Sequence, residues 1–222
     1  AVAGCLEGNC VDGEGVYEYP DGSVYRGTFQ GGRASGQGKL TSPGGAEYAG
    51  EFKDNKAHGQ GVMTSPDGTR YEGEFRENVK SGQGKLTFEN GDTYVGEFAN
   101  DEMNGRGTFT SADGSYRYEG DWEDGKAHGQ GEVVAPDGAR YKGGFKNDKE
   151  HGRGIMVYPD GTRYEGEFQD GKKHGQGRLT YAGGSVVEGS FRNDRPEGEA
   201  TYIADDGTRY EGMFENGQFH GQ

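Results

Sequence analysis

The chain has 222 residues, 46 of them glycine, with 29% apolar residues and 38 acidic against 24 basic side chains, a formal charge of −14. That balance excludes a thick apolar core and disfavours phosphate contacts, so no nucleic-acid ligand is expected. No stretch is apolar enough for a spanning helix, and no ten residues keep a 3.6-residue apolar period, which excludes a helical architecture.

In chain order, residues 1–12 read as an N-terminal cap. Cys5 and Cys10, the only cysteines, lie five apart directly before Gly13 and Gly15. The favoured reading is a Cys5–Cys10 disulfide that staples the first strand, as expected in an oxidising compartment. Two alternatives stay open: a lipidated Cys5, because Val2 to Cys5 resembles the end of a bacterial lipoprotein signal, or two free thiols. The first two readings point to an exported bacterial protein, whether periplasmic, cell-surface or secreted.

From Gly13 to Gln222 one pattern recurs. Its tyrosine falls at Tyr25, Tyr48, Tyr71, Tyr94, Tyr118, Tyr141, Tyr164, Val187 and Tyr210, with steps of 23 residues except one of 24 between Tyr94 and Tyr118. Four residues later stands Phe29, Phe52, Phe75, Phe98, Trp122, Phe145, Phe168, Phe191 or Phe214. Such a period signals a repeat array. Copy one carries Tyr17 in the first strand, and copies two to four carry Leu40, Met63 and Leu86 there. The fifth copy holds one extra residue, for which a bulge near Ser115 to Arg117 is expected, with Trp122 filling the added space. Copies six and seven return to pattern through Val133 and Met156. The eighth is weaker, and the chain stops at His220-Gly221-Gln222, the opening of a tenth. The array therefore spans 13–222, with nine hairpins and the start of a tenth.

Turn chemistry gives the geometry of one copy. In Pro66-Asp67-Gly68, proline presets the first turn position and glycine accepts the left-handed one, so a three-residue loop is expected. It sets Met63 opposite Tyr71, Gly61 opposite Gly73 and Gly59 opposite Phe75, all on one face. A two-residue Asp-Gly loop would scatter the apolar set to both faces. The six residues 76–81 then return the chain so that Gly82 faces Phe75, and each Phe sits between two glycines. The whole is an all-β, single-layer antiparallel meander of about 18 strands, roughly 85 Å long at a spacing of ~4.8 Å.

The pattern G-x-G, D-G, Y-x-G-x-F with K-x-H-G in the connection resembles the MORN repeat (membrane occupation and recognition nexus), across essentially the whole chain. The departures are Val187 for Tyr, Ala200 for Gly and Trp122 for Phe. The resemblance implies an elongated, solenoid-like sheet with a groove and a role in interaction or tethering.

Functionally, the expectation is a non-catalytic scaffold that binds a protein or peptide along its aromatic face, through Tyr71, Phe75, Tyr94, Phe98, Tyr118, Trp122, Tyr141 and Phe145. The alternatives are a membrane or phospholipid tether, through clusters such as Lys142, Lys146 and Lys149 or Lys172, Lys173 and Arg178, and a glycan or cell-wall binder. Unpaired terminal strands invite a homo-oligomer. No cofactor or metal is expected. His58, His128, His151, His174 and His220 share one repeat position about 9.6 Å apart, too far to share a zinc ion. One Asp per turn falls short of a calcium site. No nucleophile–base pair breaks the repeat, so no enzyme is read.

Overall fold

The computed structural model describes residues 3–221 and contains twenty antiparallel β-strands, with no helix among the described residues. The chain forms two compact units, 1–112 and 113–222. The first holds β1 (Gly4–Gly8), β2 (Gly13–Glu18), β3 (Val24–Gln30), β4 (Arg33–Thr41), β5 (Glu47–Lys53), β6 (Lys56–Thr64), β7 (Arg70–Arg76), β8 (Val79–Thr87), β9 (Thr93–Ala99) and β10 (Glu102–Thr110). The second holds β11 (Arg117–Glu123), β12 (Lys126–Val134), β13 (Arg140–Lys146), β14 (Lys149–Val157), β15 (Arg163–Gln169), β16 (Lys172–Thr180), β17 (Val186–Arg192), β18 (Arg195–Ile203), β19 (Arg209–Glu215) and β20 (Gln218–Gly221). Within each unit, strands pair with their chain neighbours as a meander. The expectation of about 18 strands was two short: β1 forms inside the cap, and β20 forms from the opening of the tenth copy.

The tip loops follow their turn chemistry. Met63 pairs with Tyr71, Gly61 with Gly73 and Gly59 with Phe75. Ser65 and Thr69 close the loop (Ser65 N to Thr69 O 2.8 Å), and Gly68 takes φ 94°. At the fifth copy, Ser115 and Tyr116 both precede β11, so the extra residue falls in the connection rather than in the strand.

The other connection differs from expectation. Gly82 does not face Phe75; Lys80 does, and Arg76 pairs with Val79 across a two-residue turn. Glu77 and Asn78 have φ of 48° and 72°. This is the type I′ geometry whose twist matches that of paired strands. The surplus residues bulge instead: Gly73 pairs with Gly84 and Phe75 with Lys80, which leaves Glu74 opposite residues 81–83. Across these inner turns the ring of each copy faces residue 34, 57, 80, 103, 127, 150, 173, 196 or 219, and on their other side the phenylalanines of this column face glycine. Gly59 also leaves the aromatic face, because a Cβ placed on it would meet the Glu51 carboxylate.

Core packing rests on tyrosines laid over glycine. The Tyr48 hydroxyl donates to Glu51 O at 2.7 Å, and Tyr71 repeats this with Glu74 O at 2.7 Å. A Cβ on Gly61 would collide with the Tyr48 hydroxyl, so only glycine admits the ring there. Tyr25, Tyr48, Tyr71, Tyr141 and Tyr164 each meet two phenylalanines edge-on: Tyr71 has its own Phe75 at 5.0 Å and Phe98 of the next hairpin at 5.0 Å. Edge-to-face contact adds ~0.5–1.5 kcal/mol per pair beyond area burial. Burial pushes the phenols up, to about 12 for Tyr48 and Tyr71.

Candidate functional site

The rings predicted to bind are core. Tyr71, Phe75, Tyr94, Phe98, Tyr118, Trp122, Tyr141 and Phe145 are all at most 8% exposed. The structure brings Tyr71, Phe75, Phe98 and Tyr94 into one edge-on series, and Trp122, Tyr118, Phe145 and Tyr141 into another. What the first unit offers to solvent on that face is the residue opposite each Tyr. Leu40, Met63, Leu86 and Phe109 pair with Tyr48, Tyr71, Tyr94 and Tyr94 and are half-buried. The second unit is more closed at this row, because Val133 and Leu179 are buried.

At the tips of the first unit, Phe88 and Phe109 lie 6.2 Å apart and line a shallow hollow with Asp67, Glu89, Asn90 and Asp92. The loop chain holds its own shape there. Asp92 accepts Ala112 N at 2.9 Å, and Asp67 accepts Thr69 N at 2.8 Å. Hydrogen bonds from the turn amides hold the exposed Asp21, Asp67 and Asp160 carboxyls below their ordinary value, and the Thr208 side chain and amide do the same for Asp206. The turn aspartates therefore serve the turns.

The inner turns carry a device that the sequence reading missed. Asn78 accepts Ala57 N at 2.8 Å through its side chain and donates its own amide to Ala57 O at 2.9 Å. Asn55 clamps Ala34, Asp101 clamps Lys80, Asp148 clamps Ala127 and Asp194 clamps Lys173 in the same way. The signal was present as Asn or Asp at a 23-residue spacing, beside the Asp124-Gly125 and Asp170-Gly171 dipeptides that favour type I′ turns.

The acidic positions divide by role. Exposed Glu72, Glu119 and Glu165 pair with Arg70, Arg117 and Arg163 along their own strands at 2.9–3.0 Å, and such pairs stabilise little. Glu51, Glu74, Glu97, Asp121 and Glu167 fold onto the bulge instead, where their carboxylates accept the amides of Gln60, Gln83, Arg106, Gln130 and Gln176.

Among the basic residues, Lys173 belongs to the core, with its ammonium 4.8 Å from the Tyr158 ring and 5.6 Å from that of Tyr164. Arg178 pairs with Glu188 at 3.7 Å. At the histidine position, His58 Nδ1 accepts Glu77 N at 3.4 Å, and His128 lies 3.4 Å from Glu123. No cluster of metal-ligating side chains occurs among the described residues.

Cys5 and Cys10 form a disulfide, with their Cα atoms 5.9 Å apart. Cys10 Sγ sits over Gly15, 3.0 Å from where a Cβ would be, in the place that Tyr48 takes over Gly61. The cap thus covers the first glycine with sulfur where later copies use a ring.

The MORN repeat family model matches residues 12–24, 25–47, 48–70, 71–93, 94–116, 118–140, 141–163, 164–186, 188–209 and 210–222. No curated protein sequence matches the chain. Solved structures to which the chain is similar include the SAS-4 (dCPAP) TCP domain of Drosophila melanogaster in complex with a proline-rich motif of Ana2 (dSTIL). It shows 12% identity over 81% of this chain and 85% of that one, with a TM-score of 0.38. The TCP10 domain of Danio rerio CPAP, in complex with a peptide of Danio rerio STIL, shows 15% identity over 96% and 99%, with a TM-score of 0.35. A virginiamycin B lyase from Staphylococcus aureus shows 11% identity over 96% and 88%, with a TM-score of 0.20.

Proposed function

The chain belongs to the MORN-repeat family, and from that premise we propose that it is a non-catalytic scaffold holding a protein or peptide segment on the aromatic face of its first unit. The observation that carries this reading is the half-buried row Leu40, Met63, Leu86 and Phe109, which continues into the Phe88–Phe109 hollow. The buried Tyr and Phe beneath it supply a rigid floor, and rigid apolar rows on a preformed surface suit helix or strand docking. The rings predicted as contacts act through this floor rather than by touching the partner. The Cys5–Cys10 disulfide supports a working location in an oxidising compartment.

The test uses segments selected for binding from a displayed peptide library. Met63→Gln with Leu86→Gln should weaken them about tenfold or more by loss of apolar burial, and Phe88→Ser should do the same, with the thermal transition little changed. Selected segments that bind both variants as tightly as the parent would exclude the row as the docking surface.

A further inference from the structure

The β13–β14 pair lacks the carboxylate that five of its siblings place on the bulge. In β13, Gly144 stands where Glu51, Glu74, Glu97, Asp121 and Glu167 stand in their hairpins. A Cβ placed on Gly59, Gly82, Gly105, Gly129 or Gly175 would run into the neighbouring Glu or Asp carboxylate, whereas one on Gly152 meets no atom within 4 Å. Among the described residues no side-chain carboxylate reaches the Arg153 amide, which corresponds to the capped amides of Gln60, Gln83 and Gln176. The space over this bulge is open and its amide lacks the usual acceptor.

The charge around it has changed to match. Residues 140–153 carry five basic side chains against Asp148 and Glu150, a net +3, while residues 70–83 and 163–176 carry three of each sign. Arg153, Lys146 and Lys149 make no ion pair among the described residues. His151 lines the adjoining hollow with Arg153 and His174. Its Nδ1 is buried without a hydrogen bond, 3.9 Å from Asp170 and beyond bonding reach. The one carboxylate in that lining, Glu167, is already bound to Gln176 N.

Two other hairpins serve as contrasts. Residues 24–37 are also net positive, but Thr28 Oγ1 fills the space over Gly36. Gly198 is as open as Gly152, but residues 186–199 carry a net −2, and Glu199 stands at the amide position. Open space and positive charge coincide at Gly152.

We propose that the notch over Gly144, Gly152 and the Arg153 amide receives a carboxylate from another polypeptide, an Asp or Glu side chain seated where the sibling hairpins seat their own. A charged oxygen on a backbone amide beside a guanidinium makes charge-assisted bonds roughly twice as strong as neutral ones. The notch would select acidic segments that the charge of −14 repels elsewhere. It rests on the scaffold reading and gives it a second, electrostatic specificity.

The whole chain, nitrogen-15-labelled, is titrated with a blocked alanine pentapeptide bearing a central glutamate. The glutamine counterpart, acetate, and phosphatidylserine vesicles are titrated in parallel. The Arg153 amide should shift and saturate with the glutamate peptide, bind acetate about tenfold more weakly for want of flanking contacts, and ignore the glutamine peptide. Gly144→Glu is not the variant of choice, since a Cβ there would meet His151 O. Arg153 is exposed, so Arg153→Glu leaves the fold intact and should weaken the glutamate peptide about tenfold or more by charge reversal. Equal shifts from both peptides, no saturation, or an unaffected Arg153→Glu variant would overturn the assignment. Acetate binding with the peptide excluded would overturn a polypeptide source, and a response to vesicles alone would replace it with a membrane surface. Because the apolar-row variants are read separately, a silent notch with a sensitive row rejects this site and leaves the scaffold.

Discussion

Two kinds of turn alternate along each unit, and they do different jobs. The tip loop around Asp67 is closed by its own bonds: the Ser65 amide to Thr69 O, the Gly68 amide to Ser65 O and the Thr69 amide to the Asp67 carboxylate. The inner turn at Glu77-Asn78 makes a tight reversal but spends its side-chain oxygen and amide on Ala57, 21 residues earlier. Tip loops therefore build hairpins, and inner turns lock each hairpin to the one before it. In an array whose stability accumulates through neighbour terms, the second kind carries the coupling.

The largest effect should come from the ring that serves both jobs. Tyr71 contacts Phe75 in its own hairpin and Phe98 in the next, over Gly84. Tyr71→Ala should cost about 3–5 kcal/mol, as large-to-small core changes do. Hydrogen exchange should accelerate in β7 and β8 and also in β9. Loss of protection confined to β7 and β8 would mean that the hairpins are less coupled than their packing implies.

Next in size is the clamp itself. Asn78→Gly keeps the positive φ that the turn needs, as Gly171 does at the equivalent place, and removes only the side-chain acceptor. Ala57 N is then left without its partner, at a cost of about 1–3 kcal/mol for a buried unsatisfied donor. The distinguishing readout is positional: the Ala57 amide should exchange faster while that of Thr69 does not. A reciprocal Gly171→Asn should gain part of that amount by adding an acceptor for Glu150 N, since Gly171 at present gives Glu150 only its own amide.

The difference between the turns also explains what could be read from sequence. Tip loops were legible because Pro66, Asp67 and Gly68 each state their backbone preference locally. The facing of Met63, Tyr71 and Phe75 followed from that loop length. The inner turn differs from the expected six-residue return because Gly82, after Ser81, was assigned to regular strand pairing, whereas at φ 69° it belongs to a bulge. The depth of the candidate rings was not legible for a related reason. Periodicity marks which residues share a face, but it does not say which of them lie on top. Tyr71 and Leu86 face the same way, yet one is the floor and the other the surface. Ring-over-glycine packing decides that, and it depends on neighbouring strands.

The smallest effect should separate the two turns by pH. Asp67 accepts the Thr69 amide, and that bond holds its carboxyl below the ordinary 3.8. A carboxyl whose folded-state value is lowered stabilises the fold above its unfolded value and loses that contribution as pH falls through the folded one. Asp67→Ala should therefore melt slightly below the parent at neutral pH, by less than Asn78→Gly. That deficit should shrink toward zero as pH falls below 3.8 and through the lowered folded-state value, where the parent's carboxylate is protonated. The Asn78→Gly deficit should persist over the same range, because an amide oxygen does not titrate there. Parallel melting curves would decide it: a deficit at Asp67 that survives in acid, or one at Asn78 that fades, would mean the two turns are not held by the groups assigned to them.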